Sequence, residues 1–455
     1  MTLASELFWE NLERVYRSSI SYQFARYALR LNYEALPPEV IHQAKRSLLD
    51  TLGCGVGGYM APGRPMCESV AKELGGPEEA TIFGSGLRAS AFNATLVNGF
   101  IVRFTEYNDT AIVGGHLSET VPGILAVAER QKAGGRDFLT AMVIAYELGG
   151  RGTGGSTGLS MPPALGKLMG LNEDQIANAI GIAASQSGGL GIIDADTEEN
   201  TMTKNIRVAL HAQMAVLSCM LAQKGFTGPV RVVEGQGGIR QTQGSTDIEH
   251  SVDFSGWRIL QDRFKSMPLN TTTIGHVSAT LALVKEHDLK PEDIEAVRIK
   301  ASRRETRHVG KAVAKKYPRN AETADHSAFF ANAIAIKERA CTLEQFTPDK
   351  FTDPVILDLA ERITVEADLD IPEWGRRVTS VIITKDGRRF QKTLEGPHGM
   401  GDDPLTDSEV EAKFIEIASK YVPRRQINRI FDTVWNIEKL DNISKLTALM
   451  VFPSR

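Results

Sequence analysis

The chain has 455 residues, of which 42% are hydrophobic and 24% are charged. At roughly 100–200 residues per domain this length corresponds to two or three domains, and the composition excludes a disordered or collagen-like chain. Lys and Arg number 52 against 56 for Asp and Glu, which gives a formal net charge of −4. The chain therefore lacks the overall positive charge of proteins that bind duplex nucleic acid.

The N-terminal residues and the cysteines indicate the cellular compartment. The first residues contain Glu6, Glu10 and Glu13 and no unbroken apolar core, so we expect neither a secretory signal nor a mitochondrial address. No apolar run approaches the ~18 residues of a membrane-spanning helix. The four cysteines are widely spaced and form no CxxC pair, which gives no support to a zinc ribbon or an iron–sulfur motif. We therefore predict a cytoplasmic protein with no membrane partner.

Helical patterns dominate residues 20–260. Residues 40–52 carry apolar side chains on one stripe, and residues 138–148, 173–185 and 209–224 are similar segments of helical length. Clusters of glycine between these segments predict helix ends, hinges and places where helices approach closely.

Strand patterns begin beyond residue 260. Residues 294–301 and 378–384 alternate or are rich in β-branched side chains, and an Asp-Gly pair predicts a hairpin turn into a return strand at 389–394. Helical patterns resume after Thr406, where the sequence has capping chemistry.

These patterns predict a mainly α fold with an α+β part. A helical domain is expected over residues 1–264, and a C-terminal helical return is expected over residues 401–455. A smaller α+β domain, residues 265–400, is expected to be inserted between them.

Polar side chains are concentrated between two apolar helical runs in residues 98–129. Arg103, Glu106, Asp109, Thr110 and His116 fall within 14 positions there. Such density at a helix end is typical of a site on a helix terminus and its loop. A capped helix followed by a solvated loop explains the residues equally well.

Three further groups are weaker when each is considered by itself. Lys204 and Arg207 precede an apolar helix, where a cation either binds an anion or, more commonly, snorkels to water. His276 stands at the head of an apolar helix after Lys265, a position more often taken by a core or capping histidine. His326 lies in the segment Ala324–Ser327, which fits a helix N-cap formed by its Asp or Ser.

Several catalytic motifs are absent from the sequence. GxxxxGK[ST] and HExxH do not occur. On the enzyme side this leaves proton transfer by His, Asp and Lys.

Taken together, six segments in order along nearly the whole chain resemble the MmgE/PrpD family, which includes 2-methylcitrate dehydratase, cis-aconitate decarboxylase and iminodisuccinate epimerase. The segments are LLDTLGCGVGG (48–58), NGFIVRFTEYNDT to His (98–116), MTKNIRVALHAQMAVLSCMLAQKGFTGP (202–229), KSMPLNTTTIGH (265–276), ETADHSAFF (322–330) and GPHGMGDDPLTDSEVEAKF (396–414).

The resemblance implies a helical domain from both chain ends, a smaller lid domain and an active site in the cleft between them, in a homodimer. It also implies catalysis on a small di- or tricarboxylate without a metal, an iron–sulfur cluster or an organic cofactor. Carried over by position, the catalytic candidates are Asp109, His116, His276 and Lys204. The substrate-binding candidates are Thr110, Lys265, Arg103 and Arg207.

The expected reaction is dehydration of a 2-methylcitrate-like hydroxy acid by acid/base catalysis, a cofactor-independent lyase reaction. Decarboxylation of cis-aconitate and epimerisation of an amino or imino dicarboxylate reuse the same groups and stay open. One departure from the family pattern raises a third alternative, because the segment at 149–165 is shortened and lacks a histidine that the family carries there. That alternative is a non-catalytic family member that binds a carboxylate.

Overall fold

A computed structural model describes residues 3–111, 115–151, 157–188, 190–242 and 252–452, with the backbone alone for residues 3–7. Up to residue 264 the described residues form helices and one short two-stranded ribbon. Their bounds are α1 Leu3–Arg17, α2 Ile20–Arg30, α3 Pro38–Gly57, α4 Arg64–Leu74, β1 Ala80–Thr81, β2 Arg88–Ala89, α5 Ala91–Phe104, α6 Val121–Arg130, α7 Gly135–Gly149, α8 Thr157–Leu168, α9 Glu173–Ser185, α10 Thr203–Gln223 and α11 Ile239–Thr242.

The following part of the chain combines helices with a sheet, and the chain then ends in helices. The mixed part contains α12 Thr271–Glu286, β3 Ile294–Ala301, α13 Arg303–Val309, α14 Val313–Lys316, α15 Ala321–Ala324, α16 Ala328–Glu338, α17 Pro348–Phe351, α18 Pro354–Glu361, β4 Ile363–Ala367, β5 Val378–Thr384 and β6 Arg389–Leu394. The last helices are α19 Asp407–Ala418, α20 Arg424–Trp435 and α21 Ser444–Thr447.

The four-stranded sheet has the order β4-β3-β5-β6. β3 runs parallel to β4, with Val297 opposite Ile363, and antiparallel to β5, with Val297 opposite Ile382. β5 and β6 form the hairpin predicted from the sequence, and Gly387 in its turn has a φ of 86°. Helices α12 and α16 pack against the sheet, which gives its hydrophobic residues a buried face.

The two largest of the three apolar cores among the described residues confirm the predicted fold class. The larger core draws side chains from Ile20 to Phe264 and again from Leu405 to Phe452, so both ends of the chain build one helical body. A second core, which lies under the sheet, contains side chains between Leu283 and Ile382. The boundaries at residues 265 and 400 stay predictions.

Close helix contacts at glycine position the segment that carries the candidate site. A Cβ at Gly99 of α5 would lie 2.8 Å from the Cβ of Ala209 in α10, and a Cβ at Gly58 would lie 1.9 Å from the carbonyl oxygen of Ile101. Both distances are below van der Waals contact, so only glycine lets these backbones approach so closely. The C-terminal end of α5 is thereby held beside the start of α10.

Helix α10 is the one helix among the described residues that is long and apolar enough to cross a membrane by length and composition. It packs against α5, α8 and α9, and 56% of its most apolar window is buried inside the protein. These contacts are those of a central helix of the helical body.

The shortened segment at 149–165 is partly described. Helix α7 ends at Gly149 and α8 begins at Thr157, whereas residues 152–156 lie outside the described residues. Arg151 is held by Glu147, 2.8 Å away, and by the carbonyl of Gly256 at 2.9 Å.

Candidate active site

The candidate site is centred on the carboxylate of Glu106, which follows α5. Its Oε2 accepts a hydrogen bond from Nζ of Lys204 at 2.8 Å, and its Oε1 accepts one from Nζ of Lys265 at 2.7 Å. Arg103, on the last turn of α5, forms a third ion pair with the same carboxylate. We call Arg103, Lys204 and Lys265 the cation cluster.

Glu106 has a strained backbone as well as a crowded side chain. Its φ is 47°, in the left-handed region that non-glycine residues rarely adopt. Such a conformation costs on the order of 1–3 kcal/mol and is concentrated at functional sites. The bend turns the Glu106 carbonyl toward Lys265, whose Nζ donates to it at 2.9 Å.

Three segments far apart in sequence supply the cation cluster. Arg103 ends α5, Lys204 lies in the first turn of α10, and Lys265 follows α11 in an extended segment. That segment is fixed by a backbone bridge in which Thr110 donates to Arg263 at 2.8 Å and Arg263 donates back at 3.2 Å. The main chain of Thr110 therefore helps to position Lys265.

The charges in the cluster are almost entirely shielded from solvent. The side chains of Lys204 and Glu106 are each 2% exposed, and that of Lys265 is 0% exposed. Burial opposes ionisation of Glu106, but the three cations hold the pKa of its carboxyl well below its usual range. Burial lowers the pKa of Lys265, and the charges of Arg103 and Lys204 add to that effect. Glu106 is therefore ionised at neutral pH.

A second acidic residue contacts the far side of Arg103. The Nε of Arg103 lies 2.8 Å from Oε1 of Glu119. Burial raises the pKa of Glu119 to about 7, although Arg103 and Arg207 oppose the rise. Glu119 is thus a group that exchanges a proton close to neutral pH, beside the cation cluster. Arg207 is only partly buried and acts on it through charge.

His116 lies next to the cation cluster. Its Nδ1 bonds the main-chain carbonyl of Asp109, which leaves Nε2 free to exchange a proton. Burial, followed by the charges of Lys265 and Arg103, lowers the pKa of His116 well below its usual range. A neutral imidazole therefore stands beside the cations at neutral pH.

The carboxylate of Asp109 holds a turn. It accepts hydrogen bonds from the backbone N–H of Ser118 at 2.9 Å, from its Oγ at 2.5 Å and from the hydroxyl of Tyr146 at 3.0 Å. Burial raises the pKa of Asp109 to about 6. These contacts fix the 3-10 turn Leu117–Thr120, and a catalytic role for Asp109 stays a prediction.

His276 lies within the α+β part of the molecule. It is fully buried on α12, and neither ring nitrogen has a hydrogen-bond partner among the described residues. Burial lowers its pKa to about 4. The contacts of the described residues join it to none of the cation cluster, so its catalytic role also stays a prediction.

The structure adds residues that the sequence did not single out for a role. Glu106 and Glu119 stand between the cations, and His326, which is 1% exposed, bonds Asp325 through Nδ1. Ser327 caps α16 as its local pattern predicts, accepting from the N–H of Phe330 at 2.9 Å. An anion-binding site is recognised in a sequence by its basic residues. The acidic residues that pair with them, here Glu106 and Glu119, cannot be recognised in the same way.

A cavity of about 630 Å³ lies between the helical body and the α+β part. Its walls include Phe104, Met202, Pro268, Asp325 and Ile417. This volume is in the range of small-molecule sites. The side chains that line it include none of the cation cluster, so the cavity adjoins the cluster rather than enclosing it.

Histidines and carboxylates also gather at the junction of the two parts. One donor atom from each of Asp194, His308 and His326 lies within 4.8 Å of the others, and the same holds for Glu106, Asp325 and His326. Glu106 already pairs with three cations, so within the described residues the first group is the better arranged for a metal ion.

Comparison with known proteins identifies the same family over most of the chain. The MmgE/PrpD N-terminal domain matches residues 22–250, and the MmgE/PrpD C-terminal domain matches residues 267–437. Cis-aconitate decarboxylase of Homo sapiens is 25% identical over 473 residues, covering 96% of this chain and 95% of that protein. A cis-aconitate decarboxylase-like protein of Aspergillus oryzae is 24% identical and covers 95% and 97%. The 2-methylcitrate dehydratase of Escherichia coli is 29% identical over 188 residues, only 34% of this chain and 37% of its own.

Proposed function

The chain belongs to the MmgE/PrpD family, and on that basis we propose that it is a lyase acting on a small di- or tricarboxylate at the cation cluster. The observation that carries the proposal is the convergence of Arg103, Lys204 and Lys265 on one buried carboxylate. The relatives named above are a decarboxylase, a decarboxylase-like protein and a dehydratase, which supports enzymatic activity.

The charge balance of the cluster supports an anionic substrate. Three cations face one ionised carboxylate, Glu106, and Glu119 is only partly ionised at neutral pH. The cluster thus has an excess of between one and two positive charges in a site with little water. Buried charge of this kind requires a partner, and a carboxylate that accepts N–H bonds from Lys and Arg is a strong one.

We propose decarboxylation of a cis-aconitate-like substrate as the first reaction to test. The carbon–carbon bond to one carboxylate breaks, its electron pair passes into the conjugated system toward a second carboxylate, and carbon dioxide departs. The cations stabilise the negative charge that develops. Lys265, whose pKa burial lowers, gives a proton to the carbanion and recovers one from water.

Two observations favour decarboxylation over the dehydration expected from the sequence. The decarboxylase and decarboxylase-like relatives cover 96% and 95% of the chain, whereas the dehydratase matches about a third of it. In addition, Glu106 is held ionised by its cations and is therefore a weak base for removing a proton from carbon.

Dehydration of a 2-methylcitrate-like hydroxy acid is the second candidate, favoured by Glu119. A group with a pKa of about 7 beside Arg103 can remove the proton α to a carboxylate. His116, after taking a proton from water, would then protonate the departing hydroxyl, which leaves as water, and Glu119 would return its proton to solvent. Neither reaction as proposed calls on a metal or an organic cofactor for the chemical step.

The test is product analysis of the purified chain with cis-aconitate, 2-methylcitrate and citrate separately, followed by NMR. We expect carbon dioxide and an unsaturated dicarboxylate from cis-aconitate. A new alkene from a hydroxy acid alone would replace decarboxylation by dehydration. No turnover of any of the three by folded protein would contradict both reactions and leave epimerisation or plain carboxylate binding.

A matched pair of lysine variants connects turnover with the cation cluster. We expect Lys204→Met to lower kcat by about 100-fold or more, because it removes a preorganised charge. Lys439→Met, at an exposed lysine on the C-terminal part, should leave kcat unchanged. Equal rates for the two variants would contradict the assignment.

The family resemblance also implies an oligomeric state, and we propose the same state for this chain. We expect a homodimer. Light scattering of the purified protein should give twice the mass of one chain, and a monomeric mass at micromolar concentration would contradict the proposal.

A further inference from the structure

We propose that Asp194, His308 and His326 form a binding site for one divalent transition-metal ion of the zinc type, which joins the helical body to the α+β part. One donor atom of each residue lies within 4.8 Å of the others. Two imidazoles and one carboxylate, with water as a fourth ligand, are a donor set suited to zinc. The ion proposed here is a clamp beside the active site and takes no part in the lyase reaction.

The orientation of both imidazoles supports ligation. Nδ1 of His308 lies 2.8 Å from Oδ1 of Asp196, and Nδ1 of His326 bonds the carboxylate of Asp325. Histidines that bind metals are commonly held in this way, with one ring nitrogen on a carboxylate and the other on the ion. In this arrangement the free lone pair of each ring is on Nε2, and Nε2 of His326 lies 3.7 Å from Oδ1 of Asp194.

Asp194 provides an independent indication of a missing partner. Its Oδ1 is buried and makes no hydrogen bond, whereas the side chain as a whole is 36% exposed. A buried carboxylate oxygen without a partner is costly, because it has lost its water and gained no donor. An ion placed between Asp194 and His326 would supply that partner, since zinc–oxygen and zinc–nitrogen distances of about 2 Å together span the gap between the two atoms.

The surrounding charges permit a cation at this position. The carboxylates of Asp194, Asp196 and Asp325 face the two rings, and the nearby cations are Lys204, Lys315 and Arg307. Each cation has another partner: Lys315 donates to the carbonyl of His308 at 2.6 Å, Arg307 pairs with Asp196 at 3.2 Å, and Lys204 pairs with Glu106.

One competing contact exists at His308. Nδ2 of Asn270 lies 3.4 Å from Nε2 of His308, and this long contact would be given up on binding.

The position of the three ligands gives the ion a structural consequence. Asp194 ends the 3-10 turn Gly191–Asp194 between α9 and α10, in the helical body. His308 lies in α13 and His326 follows α15, both in the α+β part. An ion bound to all three would therefore tie the two parts together next to Glu106.

The experiment is metal binding by the full chain after treatment with a chelator. Zn²⁺ is titrated by equilibrium dialysis, and Co²⁺ is added separately as a spectroscopic probe whose visible absorption reports coordination by nitrogen and oxygen. We expect one equivalent of either ion per chain and a higher thermal midpoint with the ion than without it.

Two ligand variants and one control make the assignment specific. We expect His308→Gln and Asp194→Asn each to weaken Zn²⁺ binding by about tenfold or more. Mutation of a residue that only hydrogen-bonds to a metal ligand already lowers metal affinity by about that factor. His398→Gln is the control, since His398 is also held by carboxylates, Asp403 at 2.9 Å and Glu409 at 2.8 Å, but its side chain is 45% exposed. The control should bind Zn²⁺ as the unaltered chain does.

Several results would overturn the proposal. Absence of a stoichiometric Co²⁺ or Zn²⁺ equivalent in the folded, chelator-treated chain would do so. Binding that survives in both ligand variants, or that is lost in His398→Gln, would place the ion elsewhere. Circular dichroism verifies folding, and if Asp194→Asn does not fold, His308→Gln decides alone because His308 is partly exposed.

Discussion

At neutral pH the carboxylate of Glu106 occupies the place that the surrounding cations would otherwise offer to a substrate anion. Its left-handed backbone and its three ion pairs hold it in that place. A substrate carboxylate must share or take over these cations. Binding and catalysis therefore depend on the strength of the ion pairs between Glu106 and the cation cluster.

Removing the charge of Glu106 should destabilise the fold. Glu106→Gln leaves three buried cations without an ionised partner, and breaking a buried ion pair costs about 3–5 kcal/mol. Urea unfolding measures the loss. The control is Glu199→Gln, because the Glu199–Arg319 pair is largely exposed on the arginine side, at 81%, and such pairs contribute at most about 1 kcal/mol. Equal losses in the two variants would contradict the buried network.

Glu119 should make stability depend on pH. Burial raises its pKa from the ordinary 4.5 to about 7, so the folded protein keeps a proton that the unfolded chain releases. The free energy of unfolding gains a contribution that is complete below pH 4.5 and is lost as the pH rises to about 7. Its size is roughly 3 kcal/mol.

Urea unfolding across that pH range tests the contribution of Glu119. Glu119→Gln should remove this part of the slope, whereas Glu34→Gln, at a carboxylate that is 72% exposed, should keep it. A slope that is identical in Glu119→Gln and the unaltered chain would show that Glu119 does not carry it.

At the scale of elements, the site depends on the contact between α5 and α10. Gly99 brings the two helices together, and their ends then present Arg103 and Lys204 to one carboxylate. Neither helix carries the site alone. The distance between the helix axes determines whether the cations share a partner.

Enlarging Gly99 should therefore weaken both stability and activity. A Cβ at this position would lie 2.8 Å from the Cβ of Ala209. We expect Gly99→Val to cost about 1–3 kcal/mol through overpacking and to lower kcat by moving Lys204. Gly188→Val is the control because nothing lies within 4 Å of a Cβ there. Thermal unfolding and turnover are measured on both variants. Equal midpoints and equal rates for the two would contradict a role for the close contact at Gly99.

Some of the secondary-structure elements could be predicted from the sequence, and others could not. Strands β3, β5 and β6 have the bounds predicted for them, because alternation and β-branching are properties of the segment itself. Strand β4 was not predicted, since five residues with one fully buried position give no clear period. Arg103, Lys204 and Lys265 were predicted as anion partners, and the structure brings them together.

Other site residues could not be found locally. The roles of Glu106 and Glu119 depend on cations that are distant in sequence. Asp109 and His276 were selected by position within a family pattern, yet the side chain of the first holds a turn and that of the second is buried on α12. Such outcomes are set by packing, which a local pattern does not contain.

At the scale of the whole molecule, the C-terminal helix α19 helps to position the candidate site. Lys413 of α19 donates to the carboxylate of Asp50 at 2.7 Å and to the carbonyls of Tyr107 at 2.6 Å and Lys265 at 3.0 Å. One side chain thus ties α3, the segment after α5 and the extended segment of Lys265 together. The last part of the chain is needed to position groups supplied by the first.

Loss of this connection should be severe. Lys413→Met leaves Asp50 buried without its cation and frees two carbonyls, and we expect a loss of about 3–5 kcal/mol. Lys445→Met is the control, because the Lys445–Asp441 pair is 60% and 76% exposed. Calorimetry compares the two, and a loss no larger than that of the control would contradict the role of Lys413.

The larger core has a consequence for the order in which the chain folds during synthesis. Its apolar side chains come from residues up to Phe264 and from residues after Leu405, whereas the second core is complete within residues 283–382. As the chain leaves the ribosome, the sheet and its helices have all their partners while the helical body still lacks α19–α21. The part made in the middle can therefore fold before the part made first, and the earliest helices must wait, with apolar surface uncovered, until the last residues emerge.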